Sequence, residues 1–361
     1  MGLIRVLLAL SVVFAHSPWH DGYALVGGRN AVQLFYMISG FLITHVLSTN
    51  KNYSDPIRFY VNRGLRIYPT YYAVAFLSLI PALRPHTQFA EFYHQAGATA
   101  GTLVAASNVT IFGQDWAMFG AIHDKVLSFA VDFRQSSPPL YTGLLIPQAW
   151  TLGLELTFYA IAPFLLRSNA LIVAALTLSL AVRAYLMVIG IGTEDPWSYR
   201  FFPAELSLFL VGALANRFGL PIWKHVLATS RLRPVLPASV AFMALLILTY
   251  TALPLSEAVK TVGLMTIFAV LVPLTFLYQS GSQLDRRLGD LSYPIYIGHI
   301  LMTLLVGMIW RGLHLAPNAA AVTFANIVAA IGFAFVLNRL LERPIEHLRS
   351  KVRRGQPMPS T

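Results

Sequence analysis

Residues Ala319–Leu341 read AAAVTFANIVAAIGFAFVLNRLL, an apolar stretch whose only charged side chain, Arg339, lies near its end. A helix needs roughly 20 such residues to cross the hydrocarbon core of a bilayer. A helix at the surface of a soluble domain would instead show one polar face. The same reading extends to Gly2–Ser17, Val32–Leu47, Ile67–Leu83, Pro147–Leu166, Ala170–Ile191, Phe201–Phe218, Val235–Leu253, Val259–Tyr278 and Leu291–Leu313. The sequence therefore predicts an all-α, polytopic transmembrane bundle of about ten spans. Composition agrees: of 361 residues, 56% are hydrophobic and 11% charged, with a mean hydropathy of +0.62. Soluble domains carry about 25% charged residues, so a soluble enzyme, a disordered chain and a nucleic-acid reader are excluded.

The first run, Leu3–His16, has the weak basic start and short apolar stretch of a signal peptide. A second apolar segment follows almost at once, and an arginine and a histidine inside a discarded leader would be odd, so it is read as helix one. The net charge of +11 fits cytoplasmic loops under the positive-inside rule. With ten spans and both termini cytoplasmic, most basic residues fall inside: Arg5, Lys51, Arg58, Arg63, Arg66, Arg167, Arg217, Lys224, Arg231, Arg233, Arg286, Arg287 and the tail arginines. The weakly apolar segment Ala96–Phe112 is kept out of the count, because a further crossing would place the basic tail outside. It is expected to lie on or dip into the outer side, within one long external loop over about 84–146. Loops of that length are functional or disordered, and Asp115, His123 and Asp132 within this one are assigned to acceptor access. The expected organisation is one transmembrane domain over 1–346 and a basic cytoplasmic tail over 347–361, with Gly355–Thr361 fraying.

Ionisable side chains within spans are functional-site hypotheses by default. Arg5 and His16 stand eleven positions apart, which at about 100° per residue returns them to within ~20° of one helix face, ~16 Å apart along the axis. The plain alternative is a snorkelling arginine and an interfacial histidine. Ser39-Gly40 permits close helix contact, and Gln33 is a buried amide in need of partners. Arg63 and Arg66 share a face at i,i+3, a two-pronged clamp suited to phosphate, with Arg58 nearby; lipid headgroups compete as their target. Glu155 needs a partner from elsewhere, His16, Arg183 or Arg200, and a structural ion pair with Arg183 is the bland reading. Glu205 lies with Arg200 nearby. His299, a lone histidine among apolar residues, reads more readily as a hydrogen-bonded core group than as a catalyst.

Cysteine is absent, which excludes disulfides, zinc thiolates and thiol nucleophiles. The ten histidines are scattered without a helical metal-ligand pair, so no metal is expected. Neither a glycine-rich phosphate loop nor a nucleophile elbow occurs.

Taken in order along the chain, these segments resemble the integral-membrane acyltransferase family 3. The Arg5-to-His16 spacing is similar to that family's helix-one signature, and Val32–Ile43 to its FF-x-x-SGF helix with Tyr36 for the second Phe. Arg63-Gly64-Leu65-Arg66-Ile67-Tyr68-Pro69 resembles its Arg-x-x-Arg-x-x-Pro turn. Trp150-Thr151-Leu152 with Glu155 and Tyr159 resembles its Trp-Ser-Leu…Glu…Phe-Tyr segment. Ser292-Tyr293-Pro294-Ile295-Tyr296 with His299 resembles the late helix, and Glu342-Arg343-Pro344 the closing motif. One departure is Gln33, where many members carry Asp. No C-terminal SGNH-type domain follows, so transfer is expected to finish within the membrane domain.

The resemblance implies a multi-pass O-acyltransferase of the bacterial inner membrane, surrounded by lipid. It would move an acyl group, most simply acetyl, from cytosolic acyl-CoA to a hydroxyl of a carbohydrate or glycolipid acceptor. No nucleic-acid partner is expected. His16, Glu155 and Arg5 would be catalytic, His16 as general base or as acyl carrier, with Glu155 orienting it or holding acceptor hydroxyls. Arg63, Arg66 and Arg58 would bind acyl-CoA, and Trp150, Tyr159, Gln33 and His299 the substrate. The rival reading is a secondary transporter or flippase for a polar or glycolipid substrate, which would often show inverted repeats and broken helices; none is seen in the sequence.

Overall fold

The protein is described here by a computed structural model, which covers residues 1–19, 24–228, 232–316 and 318–354. Arg231 and the Gly355–Thr361 tail lie outside the described residues. In chain order the helices are α1 (Gly2–Ala15), α2 (Gly27–Thr49), α3 (Pro56–Ala82), α4 (Gln88–Gln95), α5 (Gly97–Thr110), α6 (Trp150–Leu165), α7 (Asn169–Val188), α8 (Phe202–Leu214), α9 (Leu220–Val226), α10 (Val235–Thr249), α11 (Glu257–Gly281), α12 (Gln283–Gly312), α13 (Ala319–Leu337) and α14 (Arg343–Arg353). Between α5 and α6 lie two short strands, β1 (Gly120–His123) and β2 (Val126–Phe129), paired antiparallel. Helices dominate because hydrocarbon offers no partner for backbone amides, so each spanning segment must satisfy its own.

Each of the ten expected segments falls in a helix, but a count of about ten spans is not confirmed. Among the described residues seven helical stretches are long and apolar enough to cross a membrane: Gly27–Thr49, Asn169–Val188, Phe202–Val226, Val235–Ala252, Glu257–Gly281, Gln283–Gly312 and Ala319–Arg353. The other three expected spans fall short for physical reasons. α1 has 14 residues and α6 has 16, below the roughly 20 a full crossing needs. α3 is long enough at 27 residues, but its part from Ile67 on is diluted by Tyr68, Thr70, Tyr71, Tyr72 and Ser78.

The chain divides into two compact units. The first comprises Met1–Thr70, Leu166–Ile172 and Leu208–Thr361. Here α1 packs on α2, α12 and α13. A Cβ on Gly2 would fall 1.5 Å from the Asp285 carbonyl oxygen, so the start of α1 presses directly on α12. The Asp285 carboxylate accepts the Gly2 and Leu3 amides at 2.7 and 2.8 Å, a negative charge at the positive end of α1. The Ser39-Gly40 reading holds: a Cβ on Gly40 would lie 1.8 Å from the Phe209 carbonyl oxygen, and one on Gly212 would lie 2.0 Å from that of Met37. Backbone therefore meets backbone where α2 crosses α8. Two π turns, Ala215–Gly219 and Asn338–Glu342, interrupt the helical runs of this unit. The α14 helix docks through side-chain amides of Asn52 and Asn62, which donate to the Arg353 and Arg349 carbonyls.

The second unit comprises Tyr71–Leu165 and Val173–Ser207. The stretch expected as one long loop is folded within it. Phe92, Ala96, Ala100, Val104, Ala117, Ile122, Leu140 and Leu144 form a core of their own. Asn108 ties it together, accepting from the Leu145 amide at 2.9 Å and donating to the Gly143 carbonyl at 2.8 Å. Within the expected dipping segment, α5 has only 14 residues.

Candidate active site

Arg5 lies within α1 and His16 caps its C-terminal end, and both meet α12. A Cβ on Gly289 would lie 3.4 Å from an Arg5 guanidinium nitrogen. At the other end of α1 the rings of His16 and His299 stand 5.0 Å apart, tilted by 55°. The two helices thus run parallel in matched register. The face predicted from the eleven-residue spacing is real, and its partner is α12.

The surroundings fix the protonation pattern of the imidazole pair. His16 Nδ1 lies 2.9 Å from the Val12 carbonyl oxygen, and His299 Nδ1 lies 2.6 Å from that of Tyr296. A carbonyl oxygen only accepts, so each neutral ring carries its proton on Nδ1 and leaves a lone pair on Nε2. His16 is exposed, whereas His299 is fully buried and its Nε2 has no hydrogen-bond partner. An exposed imidazole and a buried one thus stand side by side. Gln33 and Tyr36 are buried on α2, with Tyr36 stacked on Phe209 at 4.8 Å.

At the inner-loop end of α3 the predicted arginine pair is engaged within the protein. Arg66 donates to Glu342 at 3.0 Å, and the Thr70 hydroxyl donates to the other oxygen of the same carboxylate at 2.7 Å. Arg63 donates to Asn62 Oδ1 at 2.9 Å and lies 5.8 Å over the Phe59 ring. Arg58 is half-exposed and pairs with Asp55 at 3.4 Å. Arg349 of α14, partnered by Glu346, joins Arg63 and Arg66 in one electrostatic cluster. The Arg66 clamp therefore also fastens the segment after α13 to α3, a role that no local spacing signals.

In the second unit, Tyr159 donates its hydroxyl to the Glu155 carboxylate one turn back. Arg183, weighed as the bland partner of Glu155, instead binds Glu205 at 2.8 Å; Glu205, fully buried, needs its charge compensated within that unit. Arg200 chelates Asp195 at 2.6 and 3.1 Å and lies 4.2 Å over the Trp150 ring and 4.5 Å over that of Tyr199. The predicted sugar-stacking Trp150 is buried with Arg200 on its face. Asp115, assigned from sequence to acceptor access in an external loop, is instead 3% exposed, and its Oδ1 has no hydrogen-bond partner and abuts the Gly153 backbone of α6. Burial pushes its carboxyl up to about 7. An isolated loop aspartate gives no local signal of burial. Among the described residues no group of acidic or histidine side chains is placed to hold a metal.

A family model described as an acyltransferase domain matches residues 1–339. The exopolysaccharide production protein ExoZ of Rhizobium meliloti (strain 1021) is 25% identical over 91% of this chain and 93% of its own length. Nodulation protein 10 of Rhizobium leguminosarum bv. viciae is 26% identical over 97% and 94% respectively. An uncharacterised protein of Aquifex aeolicus (strain VF5) is 22% identical over 62% of this chain and 97% of its own length. No solved structure matches.

Proposed function

The chain belongs to the acyltransferase-domain family, and on that premise we propose that this multi-pass membrane acyltransferase carries an acyl group, most simply acetyl, from cytosolic acyl-CoA to a carbohydrate hydroxyl. The observation that carries the reading is the imidazole of His16, held by Val12 so that Nε2 is a free base and flanked by His299. In the proposed reaction His16 Nε2 takes the acceptor hydroxyl proton as that oxygen attacks the thioester carbonyl. The C–S bond breaks, and the proton returns to the leaving CoA sulfur. General-base catalysis of this kind contributes typically about 10²–10⁴-fold. The variant in which His16 itself carries the acyl group uses the same lone pair.

Arg66, Arg63 and Arg58 are assigned to the anionic end of the donor, and Arg5 to holding it below His16. For the second unit we assign acceptor handling to Glu155 and Tyr159, with Trp150 shaping their surroundings under Arg200. Gln33 is assigned to substrate contact on α2. One relative is named for exopolysaccharide production, which supports a saccharide acceptor here, and the cluster of Arg63, Arg66 and Arg349 supports placing the donor side in the cytosol.

The test is CoA release from acetyl-CoA by purified protein supplied with a panel of saccharide acceptors. His16→Ala is expected to lose release while retaining donor binding, and Arg66→Ala to weaken donor binding. Equal activity in wild type and both variants would remove both assignments. Silence of the wild type across the panel would reject acyl transfer from acetyl-CoA to saccharides.

A further inference from the structure

Arg287 and Asp290 of α12, Asn338 of the π turn after α13 and Arg343 at the start of α14 wall a recess of about 280 Å³. Three elements converge there, and the π turn matters locally. An extra residue per turn re-aims the side chains that follow, and such turns recur at functional sites. This one carries Asn338 at one end and Glu342, the partner of Arg66, at the other.

The charges in the recess are unevenly satisfied. Arg66 and Arg5 both act electrostatically on Asp290, so that carboxylate already has cations facing it. Glu342 is engaged by Arg66 and Thr70, and Glu346 by Arg349 and Arg353. Among the described residues Arg287 and Arg343 have neither an ion pair nor a hydrogen bond. Two forked guanidiniums left over in one polar recess are a fit for phosphate oxygens, which they bind in pairs.

The position of the recess adds a second argument. It opens beside the Asp290 turn, where Arg5 meets α12, and α12 then runs in parallel register with α1 to the His16–His299 pair. From Asp290 to His299 the helix rises ~14 Å at 1.5 Å per residue. That is a distance an extended pantetheine arm spans.

We propose that this recess seats the phosphates of the acyl donor's nucleotide, with Arg287 and Arg343 as the principal binding groups and Asn338 as a further hydrogen-bonding wall. The inference rests on the acyl-CoA reading above. It assigns the nucleotide to the α12–α14 corner rather than to Arg63 and Arg66 alone. Arg66, through Glu342, then fixes the geometry of that corner as well as adding charge.

The experiment measures CoA and acetyl-pantetheine binding by calorimetry, using full-length protein in phosphatidylcholine nanodiscs. Wild type is compared with Arg287→Gln, Arg343→Gln, the double variant and the Arg→Lys pair. Loss of one charge-assisted contact is expected to weaken CoA binding about 10-fold, and the double variant about 100-fold. Acetyl-pantetheine, which lacks the nucleotide, should bind all variants alike, and the lysine pair should recover part of the CoA affinity. Unchanged CoA affinity in the double variant would overturn the proposal, as would equal weakening toward both probes.

A second arm adds phosphatidylglycerol to the nanodiscs, since a lipid headgroup offers the same phosphate chemistry. If the variants lose retained phosphatidylglycerol but keep CoA affinity, the recess is a lipid site and the proposal fails. If the wild type binds CoA through these arginines yet transfers no acyl group to any acceptor, the recess assignment stands and the reaction assigned above falls. The two failures are thereby distinguishable.

Discussion

Replacing Asp115 by Asn should change how stability depends on pH. The carboxyl is 3% exposed, has one oxygen without a partner, and is pushed up to about 7 by burial. An aspartate in an unfolded chain titrates near 3.9. Below that value both states hold the proton and the group is neutral in each. Between about pH 4 and pH 7 the unfolded chain releases its proton while the folded one retains it, so stability falls as pH rises. Above about pH 7 the fall levels off. A difference of about 3 pH units corresponds to about 4 kcal/mol across the window at 1.36 kcal/mol per unit.

Asp115→Asn keeps the shape and removes the proton linkage, so the variant should lose that part of the slope. Its advantage over wild type should grow from pH 5 to pH 8. The assay is thermal unfolding of detergent-held protein at pH 5, 6, 7 and 8, followed by tryptophan emission, with Trp116 adjacent to the substitution and Trp150 in the same unit. Parallel midpoint-versus-pH curves for wild type and Asp115→Asn would refute the reasoning, because a carboxylate already ionised in the fold contributes no such slope.

Further outcomes are expected elsewhere. Gly40→Ala places a Cβ 1.8 Å from the Phe209 carbonyl oxygen, so the α2–α8 crossing must open; overpacking of this kind costs about 1–3 kcal/mol or more, read as a lower unfolding midpoint. Glu342→Ala removes the acceptor used by both Arg66 and Thr70 and should destabilise by about 3–5 kcal/mol, the usual cost of breaking a buried pair, whereas Glu342→Gln should lose less. His16→Gln should reduce acyl transfer at least about 10²-fold with little change in unfolding midpoint, measured as CoA release beside a melting curve. Arg200→Lys loses the bidentate bond to Asp195 and the flat face on Trp150, so the second unit should melt earlier although charge is conserved.

Much of the helical fold is legible in apolar runs because a membrane imposes one rule on every span. Helix periodicity likewise placed Arg5 and His16 on one face without any knowledge of what that face meets. Three things were beyond this reading. Span number depends on helix length and apolar content together, and α1, α3 and α6 fall short on one or the other. Partners far apart in the chain leave no periodic trace, so the contacts of His16 with His299 and of Arg66 with Glu342 had to be seen. The folded stretch between α3 and α6 draws its core from small residues such as Ala96 and Ala100, whose burial depends on close approach rather than on local hydropathy.

The parallel register of α1 and α12 carries a consequence for synthesis. α1 leaves the ribosome well before α12 and, at 14 residues, is too short to cross the membrane comfortably alone. The residues that cap it and face its histidine, Asp285 and His299, are made some 280 residues later. At about 5–20 residues per second that interval is on the order of tens of seconds. During it the arginine and histidine of α1 lack their α12 neighbours, so the nascent chain passes through a window of vulnerability to quality control. Completion of α12 closes that window and brings the two imidazoles together in the same event.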